Sequence, residues 1–285
     1  MNLIIGKNGQ LGKELCHLFD EQHISYTATS SKELDITDKL AVDYYFYRNK
    51  PQVVYLCAGY TNVEKAEKEE SHLALQVNYW GTRYIAEAVE RMGGILVYIS
   101  TDYVFSGKLN TNQKWEVESE THPLSEYGQT KLLGEFAVID SKVKHFIIRT
   151  SWLFGSYGKN FALTMMEQAK KQKEIKVVND QYSCPTWTRT LAEFMHYLIA
   201  HNSEPGIYHL SNALEDGKKV SWFDFAKYIL RKEIVEVLPV SSESFPSQVK
   251  RPFNSTLSIK KSENTGFLVP TWQEAVDEIF HQKID

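Results

Sequence analysis

The sequence predicts an α/β fold built on a Rossmann-type doubly wound parallel sheet, with a smaller mixed α/β region beside it. Short apolar runs alternate with stretches of helical period through the first half of the chain. These runs are continuously apolar, as in parallel strands that are buried on both faces. The first run passes directly into a glycine-rich turn that opens a helix, GKNGQLG.

Five strands and the helices between them are predicted up to residue 149. The predicted strands cover residues 2–5, 24–28, 53–57, 95–100 and 145–149. The predicted helices cover residues 10–19, 39–48, 73–91 and 126–139, and another begins at Val63. Beyond Trp152 the alternation becomes irregular. We therefore predict an NAD(P)-binding Rossmann domain at 1–151 and a mainly substrate-binding region at 152–285, some segments of which return to the first domain.

The composition is typical of a globular protein, with 42% apolar and 24% charged residues. The net charge of −4 and the lack of a basic stripe argue against nucleic acid as a partner. No apolar run reaches the ~18 residues of a membrane span. The cysteines are far apart and lack metal-ligand spacing, which argues against disulfides and zinc. The first strand begins at residue 2 and leaves no room for a signal peptide, so we expect a cytoplasmic protein.

Three glycines at a spacing of three residues stand between the first strand and the first helix. In this arrangement the first allows a tight turn, the second admits a pyrophosphate, and the third lets the helix pack on the strand. An ordinary turn has the same spacing, but the strand–turn–helix–strand context favours a dinucleotide site. The predicted cofactor contacts in this loop are Gly6, Asn8, Gly9, Gln10, Leu11 and Gly12.

The end of the second strand bears on the choice between NADH and NADPH. An acidic residue there binds the ribose diol of NAD, whereas a cation accommodates the 2′-phosphate of NADP. The sequence has hydroxyls and a cation at this point, Thr29 to Lys32, and its first acid follows at Glu33. We predict that Ser30 and Lys32 contact the cofactor and that NADPH is preferred, while NADH stays open as a second cofactor.

Tyr127 and Lys131 lie four residues apart, which places them on one face of a helix. A free phenol has a pKa near ~10, and a neighbouring ammonium favours the phenolate and lowers that value. Thr101 ends the preceding strand, where its hydroxyl can hold a carbonyl between these groups. A tyrosine on a helix is more often a packing residue, but this combination favours a proton donor that serves ketone reduction.

Several longer motifs extend this combination across nearly the whole chain. They are LDITD (34–38), CAGYTNVEKAE (57–67), NYWGT (78–82), STDYVFSG (100–107), YGQTKLLGE (127–135), RTSWLFG (149–155) and RPFNSTL (251–257). Together they resemble the extended short-chain dehydrogenase/reductases, and within them the dTDP-4-dehydrorhamnose reductases. The resemblance implies reduction of the 4-keto group of dTDP-4-dehydro-β-L-rhamnose to dTDP-L-rhamnose, with a nucleotide sugar as substrate and NADPH as cofactor.

The resemblance also implies roles for individual residues. The catalytic residues would be Thr101, Tyr127 and Lys131. Further cofactor contacts would come from Asp35, Ile36, Ala58, Gly59, Tyr60, Asn78, Tyr127 and Lys131. The substrate would be contacted by Thr101, Asp102, Tyr103, Trp152 and Arg251. Simpler alternatives stay open at three positions: a helix kink at Asn78, core packing at Trp152 and a surface cation at Arg251.

One departure from the family bears on metal binding. Some relatives are expected to form a magnesium-bridged dimer through glutamates near the first helix and near a ProThr-containing loop. Glu14 is present here, but Trp187, Thr188 and Arg189 follow ProThr, and a guanidinium opposes a metal site. We therefore expect no metal, and a monomer or weak homodimer.

Two alternatives to this reductase stay open. One is another extended-family enzyme that acts on a nucleotide sugar, an epimerase or a dehydratase. A dehydratase needs additional carboxylates after the strand-end hydroxyl, and only Asp102 is present there. The other is a non-catalytic relative that regulates another enzyme, as the methionine adenosyltransferase regulatory subunit does. The presence of Tyr127 and Lys131 argues against it.

Overall fold

Six parallel strands form the central sheet of the computed structural model, which describes residues 1–110, 112–215, 218–245 and 249–280. The strands of the molecule are β1 Asn2–Ile5, β2 Tyr26–Thr29, β3 Val53–Leu56, β4 Ile95–Thr101, β5 Lys144–Thr150, β6 Leu153–Phe154, β7 Glu174–Val178, β8 Tyr182–Ser183, β9 Thr186–Trp187, β10 Gly206–Leu210, β11 Val220–Ser221 and β12 Glu236–Val240. The sheet has the order β10-β5-β4-β3-β1-β2. Every neighbouring pair in it is parallel.

Eleven α-helices and three short helical turns lie in the described part of the chain. The helices are α1 Gln10–Glu21, α2 Lys39–Asn49, α3 Val63–Ala66, α4 Ser71–Leu75, α5 Thr82–Arg91, α6 Glu126–Asp140, α7 Phe161–Ala169, α8 Thr188–Ala200, α9 Trp222–Ile229, α10 Lys260–Glu263 and α11 Trp272–Phe280. The turns are a π-helical turn at Gln76–Gly81 and 3₁₀ turns at Asp102–Val104 and Ser242–Ser244.

The sheet is covered on both faces, which explains why its strands are continuously apolar. Leu3 and Ile5 of β1 pack in one cluster with residues of α2, α5 and α6, while Ile4 packs in another with residues of α1 and α8. All three side chains are at most 1% exposed. Alternate residues of one strand thus serve two separate cores, and the predicted doubly wound sheet is confirmed.

The second half of the chain contributes to the sheet and also has its own core. β10 pairs with β5 at the sheet edge, and α8 packs beside α1. A third apolar cluster joins β7 with α7, α9 and α11 around Phe154, Phe225 and Trp272. The proposed division of the chain at residue 152 stays a prediction.

The predicted continuous helix over 73–91 is wrong in one respect, because a π-helical turn interrupts it. This turn contains Asn78 and ends at Gly81. A Cβ on Gly81 would lie 2.7 Å from Cγ1 of Ile36, so only glycine allows the helix to approach the loop after β2 this closely. π-Helical turns are frequent at functional sites.

Candidate active site

The carboxyl ends of the parallel strands bring the candidate residues to one edge of the sheet. The glycine loop follows β1, residues 30–36 follow β2, and residues 58–60 follow β3. Thr101 ends β4 and Trp152 follows β5. Ligands of doubly wound sheets bind at this edge, outside the carboxyl ends of the strands.

The glycine loop has the geometry that a dinucleotide requires. Gly6 has a φ of +99°, and a Cβ on Gly12 would lie 2.1 Å from the carbonyl oxygen of Gly6. Gly9 precedes α1 and offers no side-chain cap, so the first amide groups of the helix stay open to an anion. A turn of glycines without side chains leads into these free amide groups, and this arrangement suits a pyrophosphate.

The carboxylate of Glu33 lies beside the end of β2, although the sequence suggested hydroxyls and a cation as the main groups there. Glu33 accepts hydrogen bonds from the backbone nitrogen of Ser30 at 2.7 Å and from its hydroxyl, and it forms an ion pair with Lys7. The Lys7 ammonium and the Ser30 donors lower the pKa of Glu33 to about 2. Lys7 was missed by sequence reasoning, although its position directly after Gly6 in the loop was a usable signal.

The segment after β3 is fixed by Asn78. Its Oδ1 accepts from the Tyr60 nitrogen at 2.9 Å, and its Nδ2 donates to the Tyr60 carbonyl at 3.0 Å and to Thr130 Oγ1 at 3.1 Å. A Cβ on Gly59 would lie 4.0 Å from Nζ of Lys131. The predicted groove residues and the predicted catalytic lysine are therefore adjacent.

The remaining predicted cofactor residues follow β2 and β3. Asp35 accepts hydrogen bonds from the nitrogen of Thr37 at 2.9 Å and from its hydroxyl at 2.7 Å. Ile36 is buried, and Ala58 packs against the same apolar cluster. The cofactor contacts of these residues stay predictions.

Thr101 ends β4, and Tyr127 and Lys131 lie in the first turns of α6; their catalytic roles stay predictions. Ser125 caps α6 by accepting from the Gly128 nitrogen at 3.2 Å, so the helix begins just before Tyr127. The Thr101 hydroxyl lies close enough to Tyr127 to lower the pKa of the phenol, against the larger effect of burial. Lys131 Nζ donates to the Ile99 carbonyl at 2.6 Å.

The expected lowering of the phenol pKa is not found among the protein's own groups. Burial raises the pKa of Tyr127, and only the Thr101 hydroxyl acts against this. Burial lowers the pKa of Lys131 to about 7, against a smaller opposing effect of the Glu135 charge. The ammonium is turned toward the Ile99 carbonyl and lies 4.1 Å from the ring centre of Tyr98. For the pKa of Tyr127, desolvation therefore outweighs the effect of the Lys131 charge that the four-residue spacing suggested.

A buried ion pair lies beneath these residues and was also missed. Arg149 of β5 contacts Glu135 of α6 through three hydrogen bonds of 2.7–3.2 Å. The two side chains are 4% and 1% exposed. Ser100 donates to the same carboxylate, and His209 Nε2 lies 3.4 Å from Nη1 of Arg149. This network ties α6 to β4, β5 and β10.

A cavity of about 830 Å³ is lined by Glu64 and by aromatic, apolar and charged residues of the second half of the chain. Trp222 lines it and stacks on Trp152 with ring centroids 3.6 Å apart. Arg251 lines it too, is exposed and pairs with Glu64 at 3.0 Å, so its alternative as a surface cation stays open. Asp102 is buried, while the Tyr103 ring meets that of Tyr127 edge-on at 5.7 Å. Substrate contacts of these residues stay predictions.

The residues considered for metal binding interact with one another. Glu14 accepts from Thr188 Oγ1 at 2.9 Å. Arg189 pairs with Glu193 at 2.6 Å and also with Glu21. Among the described residues no group of three or more His, Cys, Asp or Glu side chains could hold a metal ion. Glu193 therefore serves as the partner of a cation.

A family model described as the RmlD substrate binding domain matches residues 1–284. The chain belongs to this family. The predicted resemblance to the extended short-chain dehydrogenase/reductases is thus confirmed. No helix in the described ranges is both long and apolar enough to cross a membrane.

Relatives of this RmlD-family chain cover almost its full length. It is 36% identical to the spore coat polysaccharide biosynthesis protein SpsK of Bacillus subtilis, over 99% of this chain and 97% of that protein. It is 35% identical to dTDP-4-dehydrorhamnose reductase of Aggregatibacter actinomycetemcomitans, over 97% of each. Among solved structures, dTDP-4-dehydrorhamnose reductase of Bacillus anthracis in complex with NADP is 39% identical, with a TM-score of 0.92 over 98% of each chain.

Proposed function

We propose that this protein reduces the 4-keto group of dTDP-4-dehydro-β-L-rhamnose to give dTDP-L-rhamnose, with NADPH as the electron donor. One observation carries the proposal: Thr101, Tyr127 and Lys131 converge beside an open glycine loop, in a chain of the RmlD family. Full-length similarity to dTDP-4-dehydrorhamnose reductases supports the same reaction.

Tyr127 donates a proton from Oη to the sugar oxygen as the ketone becomes an alcohol. Burial raises the pKa of this phenol, which keeps the proton on it until negative charge develops on the sugar oxygen. Thr101 orients the carbonyl by hydrogen bonding. Lys131 favours the phenolate that remains. A positioned proton donor contributes ~10²–10⁴-fold to such a reaction.

NADPH, when bound, supplies the hydride that the reduction adds to the keto carbon. The glycine loop and the N-terminus of α1 hold its pyrophosphate. Lys7 and Lys32 supply positive charge near the end of β2, which suits a 2′-phosphate. Glu33 can accept from a ribose diol if Lys7 releases it, and this supports use of NADH as a second cofactor.

The nucleotide-sugar portion fits the cavity between the aromatic side chains and Arg251. Trp152, held by its stack on Trp222, presents an aromatic surface to the hexose. Arg251 meets the diphosphate, for which it exchanges its present partner Glu64. We further propose that the enzyme is cytoplasmic and a monomer or weak homodimer without a bridging metal.

The test is consumption of NADPH, followed by absorbance, against dTDP-, UDP- and GDP-linked 4-keto-6-deoxy sugars. We expect turnover with the dTDP sugar, slower turnover with the other nucleotides, and a lower Michaelis constant for NADPH than for NADH. Epimerisation without net loss of NADPH would favour the epimerase alternative. Cofactor binding without turnover of any of these sugars would favour the regulatory one.

A further inference from the structure

Asp102 directly follows Thr101 and is a buried carboxyl group that the reaction above does not use. It is 2% exposed. Its Oδ2 accepts hydrogen bonds from Ser255 Oγ and, at 3.5 Å, from Ser183 Oγ, while its Oδ1 accepts from Thr101 Oγ1 at 3.2 Å. Burying a carboxylate is costly unless donors compensate for lost water. Here the donors are hydroxyl groups from three separate segments of the chain.

The Thr101 hydroxyl has a single proton and more than one acceptor within reach. Its oxygen accepts from the Tyr103 nitrogen at 3.2 Å, so its own proton is free to be donated. That proton can go to Asp102 or toward Tyr127 and a carbonyl beside it. The contact with Asp102 is longer than the usual 2.5–3.0 Å of an O–H···O bond, so it can be exchanged.

We propose that Asp102 is a positioning residue that acts through Thr101, and that its ionisation state decides which acceptor receives the Thr101 proton. This inference rests on the proposed reductase function. When Asp102 is ionised, the carboxylate attracts the proton away from the reacting carbonyl. When Asp102 is neutral, Thr101 donates to the carbonyl and to the phenolate that Tyr127 becomes.

The surroundings of Asp102 place the ionisation of its carboxyl group in a pH range that an activity assay can cover. Burial raises its pKa to about 6, and the hydroxyl donors limit that rise. The titratable groups that face it are Tyr103 of its own turn and Tyr127 of α6. β8 and the segment that follows Arg251 meet it with the uncharged Ser183 and Ser255. The charges of Arg251 and Glu64 act on the pKa of Tyr103, which Arg251 lowers and Glu64 raises.

The first experiment compares the pH dependence of kcat for wild type and Asp102→Asn. Asparagine keeps the size of the side chain and removes its charge. Its single amide oxygen accepts more weakly than a carboxylate, and its NH2 group donates where the other carboxylate oxygen accepted. We expect wild-type kcat to fall relative to the variant as pH rises through about 6, by ~3-fold or more between pH 5 and pH 8. Lys131 also titrates in this range, and the ratio of the two enzymes cancels its contribution.

The same comparison in a Thr101→Val background tests whether Asp102 acts through Thr101. In that background the kcat of Thr101→Val is divided by the kcat of the Thr101→Val, Asp102→Asn double variant. This ratio should be independent of pH, because no hydroxyl proton remains for Asp102 to attract. A pH-dependent ratio that persists in this background would overturn the proposal. So would an Asp102→Asn enzyme with kcat reduced by the same factor at every pH, which is the mark of a purely structural role.

A substrate-independent measurement separates failure of this inference from failure of the reductase function. The Asp102 carboxyl pKa is measured by ¹³C NMR in wild type and in Thr101→Val. Loss of a donor to the charged form should raise this pKa further. An unchanged pKa would contradict the link between Thr101 and Asp102 whatever the substrate is. A raised pKa together with no turnover of any 4-keto sugar would instead contradict the proposed reaction.

Discussion

The substitution Tyr127→Phe removes one oxygen and its proton from the proposed acid and changes little else. The ring keeps its edge-on contact with Tyr103 at 5.7 Å, and at most the interaction between the phenol oxygen and the Thr101 hydroxyl is lost. A single hydrogen bond contributes about 1 kcal/mol to stability, so the variant should fold. Loss of a positioned proton donor should lower kcat at least ~100-fold, or about 2.7 kcal/mol of transition-state stabilisation.

The matched control is Tyr197→Phe on α8. Its Oη donates to the Thr265 carbonyl at 2.9 Å, so the control loses the same atom and one hydrogen bond outside the candidate site. Steady-state NADPH oxidation, NADPH binding by fluorescence and thermal unfolding are measured for both variants. The control should retain its rate, and Tyr127→Phe should retain cofactor binding. A Tyr127→Phe enzyme within about fivefold of wild-type kcat would remove Tyr127 from the mechanism.

Three further outcomes are expected. Lys32→Glu should raise the Michaelis constant for NADPH far more than that for NADH, because it places negative charge near the 2′-phosphate; equal effects on both would exclude that contact. EDTA and added magnesium should change neither activity nor sedimentation, because Arg189 already pairs with Glu21 and Glu193. Loss of activity and of dimer mass on chelation, with recovery on adding metal, would refute this. Glu135→Gln should lower the free energy of unfolding by about 3–5 kcal/mol, because Arg149 is left buried and unpaired. The control Glu167→Gln breaks an exposed ion pair and should change the free energy of unfolding by less than about 1 kcal/mol. Chemical denaturation measures both variants, and similar losses for Glu135→Gln and Glu167→Gln would contradict the buried-pair argument.

The features that the sequence predicts best are those set by local spacing. The apolar runs become parallel strands because alternate residues such as Ile4 and Ile5 enter different cores. Tyr127 and Lys131 share a helical face because four residues make about one turn. The glycine loop follows from the same kind of local rule, since its spacing is tied to backbone clearance at Gly6 and Gly12.

The features that the sequence does not reveal depend on pairs that are distant along the chain. Trp152 stacks on Trp222, which lies far along the chain, and no periodicity records that contact. Lys7 meets Glu33 only because β1 and β2 are neighbours in the sheet. The direction of the Tyr127 pKa shift depends on burial, which side-chain spacing cannot supply.

The central claim is that this chain reduces C4 of a dTDP-linked 4-keto sugar with hydride from NADPH. The most direct measurement uses NADPH that carries deuterium at the transferred position, with dTDP-4-dehydro-β-L-rhamnose, and locates the label in the product by NMR. We expect one deuterium at C4 of dTDP-L-rhamnose for each NADPH oxidised. Tyr127→Phe should form at least ~100-fold less labelled product in the same time. A product without deuterium at C4, or NADPH that remains unoxidised while the sugar is converted, would contradict the proposed function.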